Sequence, residues 1–306
     1  VFDQFPTVAG GWSMHGMTQK QCDSYYMADG TDCPGKDKEI GRGDGSARLS
    51  GYVTSEDVDA GRYKPLRAGV SLQYANREPR FYASVHYNGR PVLSAITVDD
   101  RNYFSSDKNK DGFGRAEYYY SGSSGAGTQM TDFTGYNVAK KVSTSSSIRN
   151  DQAVYRPYIH IRYAEILLNY MEAMNEYNPE DPKIITYFNE IRERAGIPNI
   201  TVTYPQDLGD KEKMREWILR ERQIELAFEG DRFWTLARRL LYEKEENRKI
   251  YRMNVLADDQ GQGFAFEGFY ERKLLQTRYW DNKMYLYPIA QTEIDRGRGL
   301  VQNPGW

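Results

Sequence analysis

The stretch Ile161–Glu176, IRYAEILLNYMEAMNE, decides the fold. Its side chains sort into three stripes at three- and four-residue steps. Arg162, Glu165, Asn169, Glu172 and Glu176 make a polar stripe. Ile161, Ala164, Leu168 and Met171 make an apolar one, and Tyr163, Leu167, Tyr170 and Met174 a second. The spacing predicts a helix over Tyr158–Glu176, opened just after Pro157. Two apolar stripes to one polar stripe mean a helix packed on two sides, as inside a helical repeat.

Downstream, the pattern repeats with different letters. Asp181 reads as a cap, Pro182 as a first-turn residue and Gly196 as a terminator, with Ile184, Phe188, Ile191 and Ala195 as the buried face between them. The two helices make a hairpin of tetratricopeptide type. A third helix is expected from Lys211 to Glu229, broken by Gly230, with Asp231 capping a fourth that runs to about Glu246. The two pairs are not close repeats of each other. Glu221, Arg222, Glu225 and Arg232 are charges set among apolar helix residues. They read as an ion-pair network that fixes the angle between helices, not as a catalytic centre. Arg248–Trp280 is irregular and aromatic, and its Phe264, Phe266, Phe269, Tyr270, Tyr279 and Trp280 are expected to pack loops onto the helices.

Upstream, residues 1–150 are rich in Gly, Ser, Asp and Tyr and show little periodicity. They predict loops with short strands near Arg80–Tyr87, where Phe81, Ala83, Val85 and Tyr87 alternate, and near Val92–Val98. Ser121–Thr128, SGSSGAGT, is a flexible loop by composition. The chain therefore divides into a loop-rich region, 1–156, and a helical-repeat region, 157–306, expected to form one integrated domain.

At 306 residues the chain can bury a sizeable core. Its net charge of −2 gives no electrostatic footprint for nucleic acid or an anionic membrane. No apolar run approaches a membrane span. The 25 tyrosines against 12 phenylalanines suit wet ligand surfaces, since tyrosine joins an apolar face to a polar tip. Cys22 and Cys33 are either a pair closed across a Gly-rich loop or two separate thiols, and their spacing does not choose.

The sequence offers no catalytic signature. There are three histidines, His15, His86 and His160, and no His-x-x-x-His pair to suggest zinc. Gly122–Ala126 fails the nucleophile-elbow pattern at its last position, and Gly43-Asp44-Gly45 lacks the residues that would make it a phosphate loop. Asp107-Lys108-Asn109-Lys110-Asp111-Gly112 is a sharper signal, because oxygen ligands at alternate positions followed by a turn glycine open a calcium loop. Asp107, Asn109 and Asp111 are its candidate ligands, with Glu117 in reach although it falls one position short of the usual bidentate glutamate.

Six blocks, in order, carry a family resemblance. DSYYMADG (Asp23–Gly30), YANREPRFYASVHYNG (Tyr74–Gly89), TGYNVAKKV (Thr134–Val142), the opening Ile161–Glu176 stretch, LRERQIELAFEGDRFWTLAR (Leu219–Arg238) and the closing YLYPIAQTEIDRGRGLVQNPGW resemble the signature segments of the SusD/RagB family. These are the surface nutrient-binding lipoproteins of Bacteroidetes outer membranes. The tail departs mildly from the pattern, with Ala290 for a proline, Gly297-Arg298-Gly299 for an Asn-Pro stretch and Trp306 for a tyrosine. The blocks cover nearly all of this chain but about the C-terminal half of a usual member.

The resemblance implies a mainly α fold of tetratricopeptide-like hairpins with long irregular loops and a few short strands. It implies a non-enzymatic protein on the extracellular face of the outer membrane, lipid-anchored through an N-terminus outside this chain. Its expected partners are a SusC-like TonB-dependent barrel transporter, an oligosaccharide ligand and the N-terminal half. The alternatives are a RagB-like lid that binds peptide, a purely structural module of the outer-membrane complex and, third, a glycan-active enzyme, whose carboxylate pair would be set by space and not by sequence. Family ligand contacts come largely from loops between the signature blocks. Aromatic rings there can stack on the C–H face of a pyranose. That selects Trp12, Tyr52, Tyr63 and Tyr119 as candidate ligand-binding residues.

Overall fold

The computed structural model describes residues 11–33, 50–92, 114–127, 132–143, 146, 154–155, 157–297 and 299–306. Asp107, Asn109 and Asp111 lie outside the described residues, as does nearly all of the strand expected near Val92–Val98.

The central helix spans Tyr163–Tyr177 and packs against both Pro182–Ala195 and Lys211–Glu225. Leu167, Leu168 and Met171 meet Ile184, Phe188, Ile191, Met214, Trp217, Ile218 and Ile224 in the core. The helix starts five residues later than expected, because Arg162 is extended and its guanidinium is committed to Glu225 and Glu229. The preceding Tyr158-Ile159-His160-Ile161 is a run of weak helix formers. The second helix obeys its local signals. The Asp181 carboxylate accepts from the Lys183 amide, Pro182 sits in the first turn, and Gly196 caps the end at φ 75°.

The third helix ends at Glu225, short of Glu229, and the chain turns through left-handed Phe228 (φ 61°) and Gly230 (φ 86°). The fourth, Asp231–Arg238, stops well before Glu246 because Leu240 is itself left-handed at φ 53°. Short 3-10 turns at Leu241–Glu243 and Glu245–Asn247 replace its expected second half. Gly230, not Asp231, is the N-cap. The Asp231 carboxylate instead accepts from Arg222 Nη2 (2.5 Å) and from the Thr235 hydroxyl (2.9 Å).

The stretch Arg80–Tyr87 is mostly not a strand. Pro79–Ser84 is a helix with Pro79 in its first turn. Phe81 and Ser84 are buried three residues apart, while Ala83 is exposed, a helical and not an alternating pattern. Only Val85–His86 is extended, paired antiparallel with Asn137–Val138. A second two-stranded sheet joins Lys249–Met253 to Arg272–Thr277 inside the segment expected to be irregular, with a register shift between Ile250 and Tyr251.

Part of the tyrosine excess packs the interior. Tyr25, Tyr26, Tyr74, Tyr87, Tyr118 and Tyr136 are fully buried and belong to the same core as the helices. Tyr74 packs on Tyr87 at 4.9 Å and, edge-on, on Tyr136 at 6.1 Å. Cys22 and Cys33 are both buried and are not bridged to one another.

Ion pairs fasten the loop region to the helices. Arg80 reaches Glu78 (2.7 Å), Glu221 (2.6 Å) and Glu225 (3.0 Å), and the side chains of Glu78 and Glu221 are fully buried. Glu225 also takes Arg162 and Arg194, while Lys140 pairs with Glu229 at 2.6 Å. Glu172 is chelated by Arg238 at 2.5 and 2.9 Å. Of the expected network, Glu221 and Glu225 are joined through Arg80 as hub, whereas Arg222 pairs with Asp231 and Asn169 instead. Arg232 is not bound into it, and burial pushes its guanidinium down to about 10. Among the described residues, no helix is long and apolar enough to cross a membrane.

Candidate functional site

The four candidate aromatics separate. Tyr52 and Tyr119 converge on one surface, where three loop segments meet. Tyr52 lies in an extended segment clasped to 69–72 by Val53 N–H to Val70 O (2.9 Å), Gly69 N–H to Val53 O (2.8 Å) and Leu72 N–H to Gly51 O (2.9 Å). Its ring lies 6.2 Å from that of Tyr270. Tyr119 follows the segment 114–118, held by Val92 N–H to Gly114 O (3.0 Å), Ala116 N–H to Arg90 O (2.9 Å) and Tyr118 N–H to Asn88 Oδ1 (3.0 Å). That fixes the register: Tyr118 is buried and Tyr119 turns outward, half-buried, edge-on to Phe264 at 5.2 Å.

The third segment is anchored by Asp259. Its buried carboxylate accepts from the Ser121 amide and hydroxyl (both 2.9 Å) and from the Gly263 amide (3.0 Å), which ties the 119–127 turn to the 259–270 segment. Burial alone would raise the Asp259 pKa, but these donors outweigh it and hold the carboxyl below its ordinary range. The turn is tight. Ser124 N–H donates to Glu117 O and Gly127 N–H to Tyr120 O, and any Cβ at Gly125 would collide with the Tyr119 carbonyl oxygen. Tyr270 is oriented by Asn88 Nδ2, which donates to its hydroxyl (3.2 Å), and that hydroxyl donates to Phe264 O (3.2 Å).

The result is a rim of four half-buried rings, Tyr52, Tyr119, Phe264 and Tyr270, with the exposed Glu267 carboxylate beside it. Burial above all, then neighbouring Tyr270 and Glu267 for Tyr52 and Glu117 for Tyr119, pushes the phenol pKa values up. The hydroxyls stay neutral, and the Tyr52 and Tyr119 phenols are turned to the Glu267 and Glu117 side chains. Apolar ring faces beside carboxylate acceptors match the two sides of a sugar.

Trp12 and Tyr63 are placed otherwise. Trp12 is 52% exposed, next to Ser13, whose hydroxyl meets that of Ser124 at 3.1 Å on the far side of the same turn. Tyr63 is half-buried against the core at φ 55°. Among the described residues no ring contact joins either to the rim. Of the calcium candidates only Glu117 is described, and its Oε2 accepts from the Ser123 amide at 3.2 Å. Phe264, Tyr270 and Asp259 were not singled out as ligand-site residues from the sequence. The Asp258-Asp259-Gln260-Gly261 turn ahead of unallocated aromatics was the available signal. Phe269 and Trp280 do pack inward, Trp280 stacking on Tyr242 at 4.1 Å, whereas Tyr279 is 75% exposed.

A family model for the SusD family matches residues 3–306. The chain belongs to the SusD family. SusD-like protein P2 of Formosa agariphila is 29% identical over 153 residues, which are 49% of this chain and 26% of that protein. A solved SusD-like protein from Bacteroides fragilis is 26% identical with a TM-score of 0.64, covering 99% of this chain and 50% of that one. A second Bacteroides fragilis structure, described as a SusD-like carbohydrate-binding protein, shares the fold at 23% identity and a TM-score of 0.57, covering 95% of this chain and 49% of that one. This chain thus spans about half the length of its solved SusD relatives. The helix-dominated architecture with few short strands is the SusD fold.

Proposed function

We propose that this SusD chain is the ligand-capturing part of a cell-surface glycan-binding lipoprotein, and that it holds an oligosaccharide against the Tyr52–Tyr119–Phe264–Tyr270 rim. The observation that carries the reading is the convergence of these rings, from segments up to 218 residues apart, onto a surface the helical core does not use. The central helix buries Leu167, Leu168 and Met171 in the core, whereas these rings stay half-open. Binding makes and breaks no bond. The ligand is handed to a SusC-like TonB-dependent barrel at the outer face of the outer membrane, with closure driven by ligand favouring the closed state.

A second set of exposed apolar side chains supports a large docking partner. Tyr158, Ile161, Tyr163 and Ile166 are 51–70% exposed at the start of the central helix, and Trp234 and Tyr287 are 60% and 62% exposed near the tail. These faces suit the remaining length that SusD relatives carry, with the barrel beyond it.

Glycan arrays probed with and without the transporter, together with pull-down from detergent-solubilised outer membranes, test the reading. The expected result is retention of an oligosaccharide and of a barrel. A peptide retained in place of glycan would support the lid alternative, and a chain that retains neither overturns the proposal.

A further inference from the structure

A second cavity lies on the other side of the Tyr74–Tyr87 ring pair from Tyr270. Tyr270 packs on Tyr74 (6.4 Å), Tyr74 on Tyr87 (4.9 Å), and Tyr87 lines a cleft of about 420 Å³. That volume lies in the range of small-molecule sites, roughly 300–1,000 Å³. Its walls are apolar, from Pro65, Tyr82 and Val142, and its polar side chains include Arg67, Arg90 and His86. No Asp or Glu is among the described residues that line it.

The charge balance is unlike that around Arg80, Arg162, Arg222 and Arg238, each of which meets a carboxylate. Arg90 instead gives Nη1 to a backbone carbonyl, Val85 O, at 2.5 Å. Its electrostatic neighbours are the phenols of Tyr87 and Tyr118, and burial pulls its pKa down. A guanidinium carries five N–H donors in a fork that matches a carboxylate. A positive charge drawn out of water without a counter-charge is costly, and an anion arriving in the cleft relieves that cost.

His86 adds a second, independent pointer. It is 6% exposed, and its Nδ1 is buried with no hydrogen-bond partner. Burial first, and then the adjacent Arg90 charge, hold the imidazole neutral. A neutral ring has one N–H, and the tautomer that carries it on Nδ1 donates to an acceptor. A lone buried polar atom is expensive unless something pairs with it.

We propose that this cleft is a second binding site, separate from the aromatic rim, and that it takes a carboxylate group carried on a ring-sized body. Arg90 binds the carboxylate, a turn of the His86 ring brings its buried Nδ1 N–H to the same group, and Pro65, Tyr82 and Val142 cover the body of the ligand. The proposal does not rest on glycan capture at the rim, since its probes are single small molecules.

Titration calorimetry with glucuronate, its neutral methyl ester, acetate and glucose tests it. Glucuronate is expected to bind best, acetate weakly, and the methyl ester and glucose roughly tenfold or more less tightly than glucuronate. Acetate binding as well as glucuronate would assign the site to a free small carboxylate and refute the ring-sized body. Arg90→Met should weaken glucuronate roughly tenfold or more. Should that variant fail to fold, Ala83→Phe reports instead, because Ala83 is exposed on the Pro79–Ser84 helix, lines the cleft and carries no charge. It should block glucuronate with the protein still folded by circular dichroism. Equal affinity for glucuronate and its ester, or no glucuronate binding at millimolar concentration, overturns the proposal.

Discussion

Arg80→Met tests what holds the loop region to the helices. Arg80 is 13% exposed by side chain and bridges Glu78, Glu221 and Glu225 at 2.7, 2.6 and 3.0 Å. Methionine fills most of the same volume and removes the charge together with its N–H donors. Glu225 would keep Arg162 and Arg194, and Glu78 would keep the Tyr26 amide (2.8 Å). Glu221 would keep nothing comparable, because its Oε2 already has no partner and its Oε1 faces Arg80. Breaking a buried pair by removing one partner costs about 3–5 kcal/mol, a large part of the roughly 5–15 kcal/mol that holds a domain folded. For a chain of this size the melting temperature should fall on the order of 10 °C. Adding Glu221→Gln should recover part of the loss, since it neutralises the stranded charge. Scanning calorimetry of wild type, single and double variants reads this out. An Arg80→Met protein that melts within about 2 °C of wild type would refute the reasoning.

Asp132 supplies a pH prediction: buried, it accepts from the Thr134 and Gly135 amides (both 2.6 Å) and from Asn137 Nδ2 (2.6 Å), yet burial pushes its carboxyl up to about 7. A raised folded pKa means the folded state holds the proton more tightly, so this contribution is complete below the ordinary value of 3.8 and is lost as pH rises through about 7. Melting of wild type relative to Asp132→Asn should therefore decline across that window by at most about 1.4 kcal/mol per pH unit, and parallel curves would contradict it. Calcium bound by Asp107, Asn109, Asp111 and Glu117 should raise the melting temperature, and Asp111→Ala should abolish the rise; identical melting in calcium and chelator removes the site. Gly125→Ala should loosen the 119–127 turn, seen as faster amide exchange at Ser124 and Gly127, and unchanged exchange would show the turn tolerates a Cβ.

What was legible in the sequence was what is decided locally. Asp181, Pro182 and Gly196 bound their helix by contacts within a few residues, and the helix lies where they place it. Where long-range packing decides, the reading failed. Arg162 is pulled out of the helix by Glu225 and Glu229, more than sixty residues away. Leu240 is held left-handed where nothing in its own type asks for it. In Phe81–Tyr87 the alternation was real in letters, but Pro79 started a helix that buried Phe81 and ended at Ser84, leaving only Val85–His86 extended.

The site divides the same way. Tyr52 and Tyr119 are legible as aromatics that lie between the signature blocks of the family pattern. Their neighbours Phe264 and Tyr270 lie over 140 residues further on, and Asp259 joins the segments by hydrogen bonds that no spacing rule encodes. Neither the pairing of Asn88 with Tyr118 nor the apolar walls around Arg90 and His86 leave a trace at fixed intervals.

The central claim, ligand capture at the aromatic rim, is tested most directly by affinity electrophoresis of wild type, Tyr52→Ala and Tyr119→Ala in gels carrying each glycan that the wild-type protein retains. A stacking ring is worth on the order of 1–3 kcal/mol, so each variant should bind roughly tenfold or more weakly while remaining folded by circular dichroism. Both variants migrating as retarded as wild type, in a glycan that wild type binds, would contradict the account.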